Sequence, residues 1–100
     1  MKTNIQFVRL KNNVRLANFT NEKLASLSHK YKWLIKAAVY IKEENDPSDK
    51  GKICEITLRG PGPEIFASSN ETSFEAAIAE TVRDLERQLK TRKAKMNPHL

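Results

Sequence analysis

The chain has 100 residues, a formal net charge of +6 and one cysteine. A chain of this length forms one domain that hides roughly two thirds of the surface its unfolded form exposes, which excludes a multidomain enzyme or a repeat array. With 39% hydrophobic and 30% charged residues, 3 Gly and 4 Pro, the composition is globular and not that of a linker. Cys54 alone cannot staple a small domain, and no Cys/His set has zinc spacing, so packing must hold the fold, as in a reducing compartment. The start, Met1 to Gln6, lacks the apolar run of a signal peptide, and no stretch approaches the ~18 apolar residues of a membrane span. A cytoplasmic protein is expected.

Residues Lys2 to Val8 alternate, with Ile5 and Phe7 on one face and Asn4 and Gln6 on the other, the period of a half-buried strand. After Asn12-Asn13, where an amide can cap a helix, Leu16, Phe19, Leu24, Leu27 and Tyr31 share one broad helical face, which predicts a helix from Val14 to about Lys30. Ile35, Ala37, Val39 and Ile41 then alternate with Lys36, Ala38, Tyr40 and Lys42 as a second strand, ended by the acidic stretch Glu43 to Asp49. Cys54, Ile56 and Leu58 mark a third strand, and the turn Gly60-Pro61-Gly62-Pro63 leads into a fourth over Glu64 to Ser68. The short turn makes these two antiparallel. From Ser69-Asn70 onward the period lengthens, with Phe74, Ile78, Val82, Leu85 and Leu89 in steps of three and four, the pattern of a long second helix. The expected fold is α+β in the order β-α-β-β-β-α, a four-stranded sheet with two helices packed on one face. Residues 1–95 form the expected domain and 96–100 a C-terminal tail.

The 18 basic residues outnumber the 12 acidic ones, and their distribution is uneven. The last eighteen residues hold six bases, Arg83, Arg87, Lys90, Arg92, Lys93 and Lys95, against two acids, Asp84 and Glu86. With Phe74 at the origin and about 100° per residue, the apolar positions fall within about 80°, whereas Lys90, Arg83 and Arg87 lie near 160°, 180° and 220°. Three bases therefore form a stripe on the solvent side. A helix face that only solubilises keeps both signs, so nearly pure positive charge after Glu86 favours phosphate as the partner. Arginine holds phosphate oxygens through its planar fork, and lysine adds less directional charge.

Other residues carry less. His29 and His99 are far apart in sequence, and Cys54 falls on the inward face of its strand, where a lone cysteine is a small core residue. No Ser-His-Asp order, Gly-rich phosphate loop or metal-ligand cluster can be assembled from spacing, so neither enzyme chemistry nor a cofactor is expected. Tyr31 and Trp33 could stack on a base, but packing at the core boundary is the simpler expectation. The acidic stretch would repel RNA and marks the side facing away from it.

The element order, Leu85-Glu86-Arg87-Gln88-Leu89-Lys90 with its basic continuation Thr91-Arg92-Lys93-Ala94-Lys95, Ala67-Ser68 on the last strand, Ala76-Ala77-Ile78 and Leu24-Ala25-Ser26-Leu27 together resemble one family. It is that of the ribosome hibernation-promoting factors and ribosome-associated inhibitors, also called sigma-54 modulation proteins. Two positions depart from it: Phe74-Glu75 stands where many members carry Met-Tyr, and Ser26 where a lysine is common. The resemblance implies a translation inhibitor that docks in the decoding region of the small ribosomal subunit and silences idle ribosomes in stationary phase or stress. It implies ribosomal RNA as partner, with Arg83, Arg87 and Lys90 as central anchors, Arg92, Lys93 and Lys95 extending the contact, and Lys23 and Lys30 joining from the first helix. It also implies a monomer off the ribosome and, since the chain stops at Leu100, a short form without the second domain that pairs ribosomes. Two other readings remain: a free-standing double-stranded RNA-binding module, which would normally begin with a helix, and a protein-binding transcription modulator.

Overall fold

The computed structural model describes residues 1–96. Its elements are β1 (Lys2–Val8), α1 (Val14–Lys30), β2 (Lys36–Glu43), β3 (Lys52–Arg59), β4 (Ile65–Glu71) and α2 (Phe74–Met96). The strands lie in the order β1-β2-β3-β4. Joined through α1, β1 and β2 are parallel, whereas β2 with β3 and β3 with β4 are antiparallel. This is the expected α+β architecture. No helix among the described residues is long and apolar enough to cross a membrane.

Pairing register decides which side chains meet. Ile5, Val39, Ile56 and Ala67 form one row across all four strands, and Phe7, Ile41, Cys54 and Ser69 form another. These rows face the helices. Leu16, Leu24 and Leu27 of α1 and Ile78, Leu85 and Leu89 of α2 close over them into one core. Fully burying a leucine or isoleucine contributes on the order of 1.5–3 kcal/mol, so this layer dominates stability. Thr81, buried on α2, keeps its hydroxyl 2.7 Å from the Ala77 carbonyl and 3.2 Å from that of Cys54, which ties the helix to β3. The other sheet face carries no helix. Its side chains alternate with the core-facing ones and include Tyr40, 39% exposed, and Phe66, 53% exposed.

Two boundaries differ from the expected ones. β4 runs to Glu71 because Ser69, Asn70 and Glu71 pair with Cys54, Ile53 and Lys52. The α2 start therefore falls at Phe74, where the Ser73 hydroxyl accepts from the Ala76 amide at 3.1 Å. Ser and Asn serve equally as caps or on a solvated strand, and here the neighbouring ladder selects strand. Ile35 precedes β2 and is 64% exposed. Its amide still donates to Arg59 and its carbonyl accepts from Lys2, but it sits at the end of the ladder, outside the core. The expected 96–100 tail lies outside the described residues apart from Met96, which ends α2.

The β2–β3 connection holds the acidic stretch in a closed loop. The Asp46 carboxylate accepts from the Ser48 amide at 2.9 Å and from its hydroxyl at 2.6 Å, and these bonds hold the carboxyl below its ordinary range. Gly51, at φ +117°, donates to the Asn70 side chain at 2.7 Å. A Cβ there would lie 2.1 Å from the Glu44 carbonyl oxygen, so only glycine fits.

Candidate functional site

The site begins with the two helices. Asn13 caps α1 by accepting from the Leu16 amide at 3.1 Å, and Ser73 does the same for α2, with Glu75 in its first turn and Lys93 and Lys95 in its last. Acids at the start and bases at the end suit the helix dipole. α2 then continues through the basic segment to Met96 as regular helix, beyond its last core residue, Leu89.

The eight basic residues singled out from sequence take three directions. Arg83, Arg87 and Lys90 are exposed along the outer face of α2. Arg83 pairs with Glu80 one turn back and Arg87 with Asp84 at 3.8 Å, while Lys90 makes no ion pair among the described residues. Such exposed pairs are weak and exchange readily for phosphate. A second group lies between the helices. A groove of about 220 Å³ is lined by Lys23, Ser26 and Leu27 of α1 and Ala79, Val82, Arg83 and Glu86 of α2.

Lys23 rests its ammonium 5.4 Å from the Phe19 ring, Lys30 donates to Glu86 at 2.8 Å, and Lys93 sits 5.7 Å from the ring of Tyr31. The Lys30 bond holds the Glu86 carboxyl below its ordinary range and raises Lys30. Glu86 thus reduces, without cancelling, the charge along the groove. Tyr31 is buried, so its ring is not presented as a stacking platform, and it meets the half-buried Trp33, which packs against the core, edge-on at 6.2 Å.

The third direction is toward the β3–β4 turn. Arg92 lies about 18 residues, five full turns, beyond Phe74 and therefore returns to the core-facing side of α2. There it donates from Nη1 to the Pro61 carbonyl at 3.3 Å and from Nη2 to that of Pro63 at 3.0 Å. Its fork holds the turn. Lys95 lines a neighbouring hollow with Glu64, Gln88 and Thr91.

A further set of bases escaped the sequence reading. Lys2, Lys36 and Arg59 are directly paired neighbours on three strands, on the sheet face away from the helices. Alternation places each on the open face of its own strand, but only the register brings them together. Among the described residues no group of three or more His, Cys, Asp or Glu side chains is arranged to hold a metal ion.

Similar folds are known. A ribosomal subunit interface protein from Coxiella burnetii superposes with a TM-score of 0.83 at 19% identity, covering 94% of this chain and 99% of that one. The N-terminal domain of Thermus thermophilus Protein Y gives 0.77 at 23% identity, covering 91% and 98%. A comparison with curated protein sequences finds no match. The two-helix sheet with its basic second helix also satisfies, over residues 3–97, the family model described as sigma-54 modulation protein / S30EA ribosomal protein, and the chain belongs to that family.

Proposed function

We propose that this chain is a ribosome-binding translation inhibitor that docks in the decoding region of the small ribosomal subunit and silences idle ribosomes. The observation that carries the reading is the exposed stripe Arg83, Arg87 and Lys90 on α2 beside the groove lined by Lys23, with Lys30 bonded to Glu86 of the groove wall. Family membership supports it, and one structural relative is itself described as a ribosomal subunit interface protein. Residues 1–95 act as one wedge, in the cytoplasm, as a monomer off the ribosome and without a cofactor.

The mechanism needs no chemistry. A-form RNA hides its base edges in a deep, narrow major groove, so a protein that grips it reads phosphates and 2′-hydroxyls. A rigid two-helix surface with cations about one turn apart matches a backbone track and fills space that messenger and transfer RNA would use. Lys90 and Lys93 lead this contact together with Arg83 and Arg87, whereas Arg92 supports it from behind by fixing the end of α2.

The test is sedimentation. In extracts of stationary-phase cells the protein should migrate with ribosomal particles at low salt. Reversing Arg83, Arg87 and Lys90 together to Glu should move it to the top of the gradient while leaving the circular dichroism melt essentially unchanged. Wild-type protein that stays at the top, or a reversed variant that still co-sediments, would overturn the reading. Equal affinity for any short RNA duplex would favour a general double-stranded RNA-binding module instead.

A further inference from the structure

We propose that the open face of the sheet carries a subsite for one nucleotide of single-stranded RNA, with the base on Tyr40 and the phosphate on Lys36 and Arg59. The inference does not depend on the ribosome reading, because it concerns the face opposite the helices.

The first ground is electrostatic. Lys2 pairs with Lys36 and Lys36 with Arg59, so three exposed cations stand side by side across β1, β2 and β3. Directly paired residues hold their Cβ atoms about 4.5–5.5 Å apart, and like charges at that spacing destabilise a sheet. Among the described residues one acid answers the row: Glu64, 2.5 Å from Arg59 Nε. That contact engages the guanidinium through Nε, and its terminal amino groups make no ion pair among the described residues. A row that costs stability in the free protein is relieved when a phosphate binds.

The second ground is shape. In the next row Ala38 pairs with Thr57, and Thr57 with Phe66. Ala38 and Thr57 make the floor of a hollow of about 310 Å³ whose walls include Tyr40 on one side and Lys36 and Arg59, with Glu64 held against Arg59, on the other. Tyr40 and Phe66 are exposed and lie outside the helix-covered core. Glu55, the acid paired with Tyr40, is engaged by Lys42 at 3.1 Å and does not face the hollow as an open charge. Aromatic rings on an uncovered sheet face, beside cations, form a stacking platform for bases. A duplex keeps its base faces covered by their neighbours, so the hollow selects a single strand. Asn4 and Thr57, both lining it, provide hydrogen-bonding groups for the base edge.

The continuity of positive charge adds to this. Arg92 of α2 grips the turn that follows Arg59, so the basic end of the helix and the cation row meet at the same end of the molecule. A strand lying along the helices can turn this corner onto the sheet.

The experiment uses the full chain and a fluorescein-labelled ten-nucleotide oligouridine, with anisotropy for affinity and amide chemical shifts for location. Shifts should cluster at Lys36 to Tyr40 and at Thr57 to Arg59. Tyr40→Thr should weaken binding by about fivefold to a hundredfold, the range corresponding to one lost base stack, and Tyr40→Phe should retain it. Lys36→Gln with Arg59→Gln, both at exposed positions, should weaken it similarly and covers the case in which Tyr40→Thr fails to fold. A duplex containing the same strand should bind the sheet face less well. The variant with Arg83, Arg87 and Lys90 reversed should keep the sheet shifts even where it has lost ribosomes, so the two proposals fail separately. Shifts confined to the helices, wild-type affinity in the Tyr40→Thr and double variants, or a face that engages protein but no oligonucleotide would overturn the proposal.

Discussion

Arg92 illustrates how one side chain acquires its role from helical phase. It belongs to a run of bases that reads as uniform, yet the phase turns its fork onto two carbonyls of the β3–β4 turn. Gly62 makes the approach possible: at φ +89° it adopts a conformation that side chains rarely take, and a Cβ there would come within 3.2 Å of Arg92 Nη1. Charge-assisted bonds at a half-exposed site contribute about 1 kcal/mol. Arg92→Gln should therefore lower the urea midpoint by an amount equivalent to about 1 kcal/mol, while Arg87→Gln, on the solvent face, should change stability by less than about 0.5 kcal/mol. Ribosome affinity should rank the other way, Arg87→Gln being the more damaging. Cys54 is another residue defined by its surroundings: burial pushes its thiol up to about 12, with Thr81 opposing part of the rise, so it stays protonated and inert in the folded chain.

At the scale of elements, the interface of α1 with α2 matters most, because the groove exists only while the helices keep their spacing. Apolar contact supplies most of that, and the Lys30–Glu86 pair adds a polar latch between residues 56 positions apart. The Lys30 hydrogen bond lowers Glu86 below its ordinary value of 4.5 and raises Lys30 above its ordinary 10.5. A depressed carboxyl gives stability that is complete above the unfolded value and is lost as pH falls through the folded one. A raised ammonium gives stability that is complete below its unfolded value and is lost as pH rises through the folded one. The latch therefore holds between these limits and opens at the acidic end first in any practical range. Carboxyl carbon shifts should show Glu86 titrating below 4.5, and Lys30→Met should return its midpoint toward 4.5 with little effect on overall stability, as expected of an exposed pair. An unchanged midpoint in that variant would mean that the latch is not formed in solution.

The elements themselves were largely legible from the chain. Alternation at Ile5-Phe7 and at Ala37-Val39-Ile41, and the three-four spacing from Phe74 to Leu89, follow directly from which side of a strand or helix meets water. The Ser69 to Glu71 boundary was not, because polar residues there carry no period and the choice between cap and strand rests on pairing with β3. The open stripe Arg83, Arg87 and Lys90 was visible for the same reason as the core face, being its opposite. The contact of Arg92 with the turn was not legible, because its acceptor at Pro63 lies 29 residues away in sequence.

The whole molecule measures 50 × 26 × 19 Å. The β2–β3 loop with Glu44, Asp46 and Asp49 sits at one end, linked to Asn70 near the start of α2. The C-terminal turns of α2, the β3–β4 turn and the row Lys2, Lys36 and Arg59 sit at the other. Clustered bases at that end attract a polyanion, which raises encounter rates. If about six phosphates are neutralised on docking, affinity should drop on the order of a thousandfold between about 50 and 200 mM salt at constant magnesium. A shallow salt dependence would mean that far fewer cations are engaged.

By itself the sequence determined the element types, the inward and outward faces of each and the basic character of α2, because these depend on local periodicity and composition. Only the tertiary structure decided which bases act together. Strand register gathered Lys2, Lys36 and Arg59 into one row, helix packing set Lys23 beside Arg83 and Lys30 against Glu86, and the docked end of α2 gave Arg92 to the turn. The physical reason is the same in each case: a charge acts through its distance to other charges, and those distances are fixed by pairings far apart in the chain.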